Sequence, residues 1–257
     1  MSKASNRPPR LESRIGPQHI VPPPSLEDVL VRSHVAGRAS AASPSELRRG
    51  VERAAADRQH PTPLDDAWRV VESVFGATVA DPHIDPALTV SAARRAIARV
   101  SEVANTTARV ALATSLPASL LTMHLAIARF ARISGAEVAD DDDAGPLRVD
   151  GRADRRVRWV DGVAVVTDGR SLLSVRGLEA AQEWLFMIPR PALVIADGPY
   201  ADVALDAGIE VIAFAGLDHC SLALAAERSG RGLVVPMWTD RSPGDYRPLL
   251  ERALATP

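Results

Sequence analysis

Three apolar segments occur in the C-terminal half of the sequence, and each is followed by a helical pattern. This alternation of strand and helix patterns restricts the possible folds more than any other feature of the sequence. The segments are residues 192–196, 210–214 and 232–237. Strands that are apolar along their whole length are typical of a parallel sheet with helices on both faces. We therefore expect a three-layer α/β fold with a mainly parallel sheet.

The segment 156–175 predicts an antiparallel insertion in this sheet. It contains Asp161-Gly162 and Asp168-Gly169, each between β-branched runs. Asp-Gly pairs favour the positive φ angles of tight hairpin turns. A three-stranded antiparallel meander is the expected result.

The chain divides into three parts by composition. Residues 1–24 are rich in proline and are expected to form a flexible tail. Residues 25–107 hold four amphipathic helical patterns, and residues 108–257 hold the α/β domain. We expect the helical region to pack on the sheet as one integrated unit.

Composition excludes several classes of function. The net charge is −2, which gives no long-range field to attract nucleic acid or an anionic membrane. Lys3 is the only lysine, so a phosphate-loop lysine and a lysine Schiff base are excluded. Cys220 is the only cysteine, so an intrachain disulfide is excluded. No secretory signal or membrane-spanning segment is evident, which predicts a cytoplasmic protein; a homo-oligomer remains open.

The first strand of the α/β domain, within residues 108–114, runs into a loop rich in hydroxyl groups. Thr114, Ser115 and Ser119 lie where this loop opens into a helix. In open parallel sheets ligands bind at the carboxyl ends of the strands, and a helix N-terminus favours a phosphate. These three residues are therefore candidates for binding a phosphorylated substrate, although Thr114 or Ser115 could merely cap the helix. His124, in the same helix, is a further substrate-binding candidate or a core histidine.

Carboxylates follow the next three strands. Asp197, Asp218 and Asp240 could together hold Mg²⁺ or a similar hard cation. Asp197, Asp218 and His219 are the candidate acid–base groups, since an imidazole titrates near neutral pH. Helix capping is the competing explanation for each aspartate alone. The acidic run Asp140–Asp143 lacks the spacing of a calcium loop and is expected to be solvated.

The loop and helix Ala113 to His124, ATSLPASLLTMH, resemble a motif of the form ATGHPxxLLxxH. This motif occurs in a family of actinobacterial proteins usually labelled simply phosphatase. Further segments that look similar to that family are residues 30–37, 85–90, 191–197 and 234–246. The resemblance covers most of the chain and implies a phosphatase-like hydrolase that acts on a small phosphorylated molecule.

The sequence departs from the family pattern within this loop. Ser115 stands where the family has glycine, and Leu116 stands where it has histidine; Gly216 replaces an acidic position. If the loop histidine is the family's acid or nucleophile, leucine cannot replace it. Two function classes therefore remain open: a hydrolase that uses His219 or a metal-bound water, and a degenerate relative that only binds a ligand or acts as a scaffold.

Overall fold

A computed structural model of the chain describes residues 24–38, 41–57, 59–140, 147–148 and 155–254. Of the predicted flexible tail, residues 1–23 lie outside the described residues. Asp141–Asp143 of the acidic run lie outside them as well.

The four helices predicted in the N-terminal region are confirmed. They are α1 (Leu26–Arg32), α2 (Pro44–Ala55), α3 (Leu64–Phe75) and α4 (Pro86–Ala104). The Ser25 and Ser43 side chains each accept a hydrogen bond from a backbone N–H of the first turn and so cap α1 and α2. Asp85 caps α4 in the same way, by accepting from the N–H of Ala87.

The α/β domain adds nine strands and five helices within the described residues. In chain order they are β1 (Arg109–Ala113), α5 (Pro117–Ile133), β2 (Glu137–Val138), β3 (Leu147–Arg148), β4 (Arg156–Val160), β5 (Val163–Thr167), β6 (Leu172–Leu173), α6 (Glu179–Met187), β7 (Leu193–Asp197), α7 (Gly198–Asp206), β8 (Glu210–Ala215), α8 (Ser221–Ser229), β9 (Gly232–Pro236) and α9 (Arg247–Leu254). Two short 3₁₀ segments precede α8 and α9, at Leu217–His219 and Pro243–Tyr246.

All described strands form one mixed sheet with the order β3-β4-β5-β1-β7-β8-β9. The pairs β5-β1, β1-β7, β7-β8 and β8-β9 are parallel, and β2 also pairs in parallel with β1. The meander β4-β5-β6 is antiparallel, as predicted. Asp161 and Gly162 have φ angles of 48° and 83°, which are the positive values that a tight hairpin turn requires.

Helices cover both faces of this sheet, so the predicted three-layer α/β fold is confirmed. One layer contains α1, α4, α5 and α9, which contact one another, and the other contains α2, α3, α6, α7 and α8. The Thr89 hydroxyl of α4 donates to the Pro236 carbonyl of β9 at 2.6 Å in a buried environment. Buried side chains of the N-terminal helices belong to the same apolar core as those of the sheet. No helix in the described ranges has the length and apolarity needed to span a membrane.

The structure differs from the sequence-based expectation at three helices: one was not predicted, and two have an additional 3₁₀ turn at the start. Helix α6 was not predicted, and its first residue is preceded by Leu178, whose side chain forms no capping hydrogen bond. The helices expected at 219–229 and 244–255 each begin with a separate 3₁₀ turn. These turns matter for the site, because the first of them carries Asp218 and His219.

Candidate active site

A cavity of about 490 Å³ lies at the carboxyl ends of β1, β7, β8 and β9. This is the edge at which the sequence predicts a ligand site. The lining residues are Ser115, Leu116, Val175, Arg176, Leu178, Asp197, Gly198, Pro199, Asp202, Phe214, Asp218, His219, Thr239 and Asp240. The structure thus brings Ser115, Asp197, Asp218, His219 and Asp240 to one cavity.

The central contact joins Ser115 to Asp197. Strands β1 and β7 are parallel neighbours in which Ala113 pairs with Ala196, so the residues that follow them emerge side by side. The backbone N–H of Ser115 donates to Asp197 Oδ1 at 2.8 Å, and the Ser115 hydroxyl donates to the same oxygen. The two residues are only 3% and 1% exposed, so these are charge-assisted hydrogen bonds at a buried carboxylate.

Gly198 permits this contact. Its φ angle of +48° lies in the left-handed region that glycine adopts most readily. A Cβ atom at this position would lie 2.7 Å from the Ser115 hydroxyl oxygen. The residue after Asp197 therefore has both a conformational and a steric reason to be glycine.

His124 lies behind the carboxylate and is fully buried. Its Nδ1 is 3.1 Å from the Leu120 carbonyl oxygen, and its Nε2 is 3.8 Å from Asp197 Oδ2. A carbonyl can only accept, so we assign the proton of the neutral ring to Nδ1, which leaves Nε2 as an acceptor. Burial lowers the pKa of His124, although the Asp197 charge acts in the opposite direction.

Two aromatic side chains complete the surroundings of this buried pair. Phe214 packs edge-on against the His124 ring with a centroid separation of 5.5 Å, and it also lines the cavity. Tyr200 is buried in α7, and burial together with the Asp197 charge raises the pKa of its hydroxyl. Its phenol therefore stays protonated at neutral pH.

Asp218 and His219 form a second, more exposed pair on the 3₁₀ turn after β8. His219 Nδ1 lies 3.2 Å from Asp218 Oδ2, and both side chains are about half exposed, at 46% and 55%. The hydrogen bond that His219 donates to Asp218 raises the pKa of His219, outweighing burial, and the charges of Asp218, Asp202 and Asp197 add to the effect. Burial would raise the pKa of Asp218, but the hydrogen bond and charge of His219 lower it overall.

Asp202 is a further carboxyl group in the cavity wall, one turn into α7. Burial, with the charge of Asp206, raises its pKa to about 6. This group is therefore half ionised at about pH 6 and mostly ionised at neutral pH.

The three aspartates predicted to share a metal ion line the cavity but are not arranged as a set of ligands. In the part of the chain that the structure describes, no group of three or more His, Cys, Asp or Glu side chains could hold a metal ion. Asp197 accepts from Ser115 and Asp218 is paired with His219. The Asp240 side chain is 72% exposed, and its carboxylate lies 3.7 Å from Arg241 Nε. These residues therefore do not fit a three-carboxylate Mg²⁺ site.

The remaining predicted substrate-binding residues lie outside the cavity lining. Thr114 is fully buried, and its hydroxyl accepts from the N–H of Leu116 at 3.1 Å, a bond within the loop that does not cap α5. Ser119 lies on the first turn of α5 without lining the cavity. His124 contacts Asp197 from the protein interior. Direct substrate contact by Thr114, Ser119 and His124 stays a prediction that this placement does not favour.

Capping does not account for Asp197. Its side chain makes no capping hydrogen bond to α7, although it occupies the N-cap position. Leu116, at the N-cap of α5, provides no side-chain cap either. The partial positive charge at the start of α5 and α7 is therefore directed at the cavity edge, where it favours an anion.

Two contributors escaped the sequence patterns. Arg176 follows β6 in an irregular segment, and the N–H of Val175 donates to the Ser115 carbonyl at 2.9 Å, which holds this segment against the loop. For Asp202, the only sequence feature that could have indicated a place in the site is its position on α7, about one turn after the end of β7. Arg176 supplies the only guanidinium among the described lining residues.

Comparisons with known proteins identify the family. The sequence model of the family described as Phosphatase matches residues 24–256. The chain therefore belongs to that family. It is also 28% identical over 232 residues to Phosphatase SCO2771 of Streptomyces coelicolor, an alignment that covers 82% of this chain and 87% of the relative. No solved structure matches the chain.

Replacement of Gly198 by alanine tests the contact between the two strand ends. Gly208 provides a matched control, because it also has a positive φ, of +67°, but no atom lies within 4 Å of its added Cβ. We expect Gly208→Ala to lower the free energy of unfolding by about 1 kcal/mol, the typical cost of the left-handed conformation. Gly198→Ala should lower it by at least about 1 kcal/mol more, because the methyl group displaces the Ser115 hydroxyl.

Urea denaturation of the two variants and the parent chain measures this difference. Equal destabilisation by Gly198→Ala and Gly208→Ala would show that Ser115 does not press against the backbone of residue 198.

Proposed function

We propose that the protein is a phosphomonoester hydrolase that acts on a small phosphorylated metabolite, with Ser115 as the nucleophile. The observation that carries the proposal is the hydrogen bond from the Ser115 hydroxyl to the buried Asp197 carboxylate at the wall of the cavity. A serine hydroxyl is a weak nucleophile until an adjacent base takes its proton, and Asp197 is such a base. Membership of the Phosphatase family supports the reaction class.

The phosphoryl group would be bound by positive charge around this loop. The N-termini of α5 and α7 flank Ser115. Arg176 is held near Ser115 because the N–H of the preceding residue, Val175, donates to the Ser115 carbonyl. Asp202 is mostly ionised at neutral pH and opposes this attraction, and its protonation below about pH 6 would reduce the repulsion of the anionic substrate. Phosphoryl transfer depends mainly on positioning and on charge stabilisation of this kind.

In the first step the Ser115 oxygen attacks phosphorus and its proton passes to Asp197. The ester P–O bond breaks, and the departing oxygen takes a proton from the His219 imidazolium, so that an alcohol leaves. The protonated Asp197 carboxyl has the acceptor Nε2 of His124 beside it, 3.8 Å from Oδ2. His124 is in this account a positioning residue that does not touch the substrate.

In the second step neutral His219 takes a proton from water, and the resulting hydroxide attacks the phosphoserine. The bond between phosphorus and the Ser115 oxygen breaks, and Asp197 returns the proton to that oxygen. Inorganic phosphate leaves and the starting protonation states are restored. His219 thus acts first as an acid and then as a base, which suits a group that titrates near neutral pH.

Loss of the nucleophile or the base tests the proposal. Asp197→Asn should reduce kcat by roughly 10²–10⁴-fold, because the general base is lost, and Ser115→Ala should lose at least as much. Ser221→Ala is the matched control, since Ser221 is exposed at the start of α8 and does not line the cavity.

The measurement is release of inorganic phosphate from a broad panel of phosphometabolites, with Mg²⁺, Mn²⁺ or Zn²⁺ and with a chelator. Absence of phosphate release from the parent chain under all of these conditions would contradict the proposal. Activity that survives Ser115→Ala would remove Ser115 from the nucleophile role.

The pH profile tests the role of His219. The acid form of His219 is needed for the first step, so kcat/KM should fall as the pH rises through its pKa. Asp218 raises that pKa, and Asp218→Asn should therefore move the alkaline fall of kcat/KM to lower pH. An unchanged alkaline limb in Asp218→Asn would show that another group supplies the proton.

A second candidate function is ligand binding without turnover. Leu116 lines the cavity. It stands at the position of the histidine in the ATGHPxxLLxxH motif that this loop resembles. Thermal-shift screening separates the two candidates: stabilisation by a phosphorylated ligand that is not hydrolysed favours binding alone.

A further inference from the structure

A second cavity adjoins the candidate active site and has a different charge. It measures about 540 Å³ and lies between α2, the 3₁₀ turn Leu217–His219 and the end of β9. Asp218 lines both cavities. Trp238 lines the second cavity, and the next residues, Thr239 and Asp240, line the first. We call this second cavity the α2 cleft.

The α2 cleft has two arginines on one face of a helix. Arg49 and Arg53 are four residues apart on α2, so their side chains project in the same direction. The Nε of Arg49 donates to the Ser45 carbonyl at 3.2 Å, a bond that uses one of the five N–H donors of the guanidinium. Within the described residues neither guanidinium forms an ion pair with a carboxylate.

The acidic groups of the α2 cleft are already bound by other side chains. Glu46 accepts hydrogen bonds from the backbone N–H and the hydroxyl of Ser43 in the cap of α2. Asp218 is paired with His219. The two arginines keep N–H donors that no described carboxylate uses, and a guanidinium is suited to planar oxyanions.

Trp238 adds a flat aromatic surface to the α2 cleft. Its side chain is partly exposed in the cleft, and its backbone is held by the N–H bond to the Val35 carbonyl and by the Tyr246 hydroxyl. The indole Nε1 is buried and has no hydrogen-bond partner among the described residues. Because that atom is buried, contact with a molecule in the cleft would come from the partly exposed face of the Trp238 ring.

We propose that the α2 cleft binds the leaving-group part of the substrate, and that this part is a planar group with a second anionic substituent. The proposal rests on the proposed phosphatase function, because it places the transferable phosphate at Ser115. Arg49 and Arg53 bind the second anion, and the Trp238 ring lies against the planar group. The substrate class is then a phosphomonoester that carries two anionic groups.

Two aryl phosphates that differ by one carboxylate test this assignment. Phenyl phosphate and 4-carboxyphenyl phosphate share the reacting group, and only the second has the additional anion. We expect kcat/KM to be about five-fold higher for the carboxylated compound, as partly exposed ion pairs contribute modestly. Arg49→Ala and Arg53→Ala should each reduce this preference, because they lower kcat/KM for the carboxylated compound more than for phenyl phosphate.

Arg48→Ala is the matched control. Arg48 lies on the same helix and is exposed, but it does not line the α2 cleft, so the preference should persist in this variant. An equal loss of preference in Arg48→Ala would overturn the proposal in favour of a general field of the helix. A parent chain with no preference between the two compounds would overturn it as well.

Calorimetric titration with the same two compounds separates failure of the subsite from failure of the hydrolase. If neither compound is hydrolysed, the proposed function fails for these probes. Tighter binding of 4-carboxyphenyl phosphate that depends on Arg49 and Arg53 would still support the anion subsite. Equal binding of the two compounds would contradict it.

Discussion

The site depends on the Asp197 carboxylate, which is 1% exposed and accepts both hydrogen bonds of Ser115 through one oxygen. A carboxylate withdrawn from water is costly unless charges and donors surround it. The N–H and O–H groups of Ser115 and the N-terminus of α7 provide that stabilisation. The loops after two adjacent parallel strands are held together as a result, and the cavity forms around their junction.

The same arrangement gives the serine hydroxyl its chemical character. Gly198 lets the chain turn directly after the carboxylate, with a φ of +48°, and leaves room for the Ser115 oxygen 2.7 Å from where a Cβ would lie. His124 and Tyr200 surround the carboxylate from the protein interior, and burial keeps both in their neutral forms at neutral pH. In the proposed mechanism the buried Ser115–Asp197 pair supplies the nucleophile and its base, and the half-exposed Asp218–His219 pair supplies the acid. The two roles are thus placed in two different environments.

Much of the fold could be predicted because it depends on local patterns. Continuous apolar segments predicted the parallel strands, the Asp161-Gly162 turn predicted the meander, and Ser25 and Ser43 marked the starts of α1 and α2. The position of the site at the strand ends followed from the topology. Helix α6 was missed because its start has neither a capping side chain nor the proline that marks α5 and α7.

The details of the site could not be predicted, because they depend on which way each side chain points at a strand end. Thr114 and Ser115 are adjacent, yet the Thr114 hydroxyl bonds to its own loop while that of Ser115 bonds to Asp197. Asp197, Asp218 and Asp240 reach one cavity, but each has its own neighbour and they do not form a metal site. Arg176 reaches the active-site cavity because an irregular segment packs there, and Arg49 and Arg53 reach the α2 cleft because α2 packs there. No local sequence pattern predicts either packing arrangement.

Direct detection of a phosphorylated Ser115 tests the central claim. The chain would be mixed with a substrate that it hydrolyses, quenched in acid within the first turnover and digested for peptide mass spectrometry. One added phosphoryl group is expected on the peptide that contains Ser115, and none on that peptide in Ser115→Ala. Rapid phosphate release without any phosphorylated Ser115 peptide would contradict it.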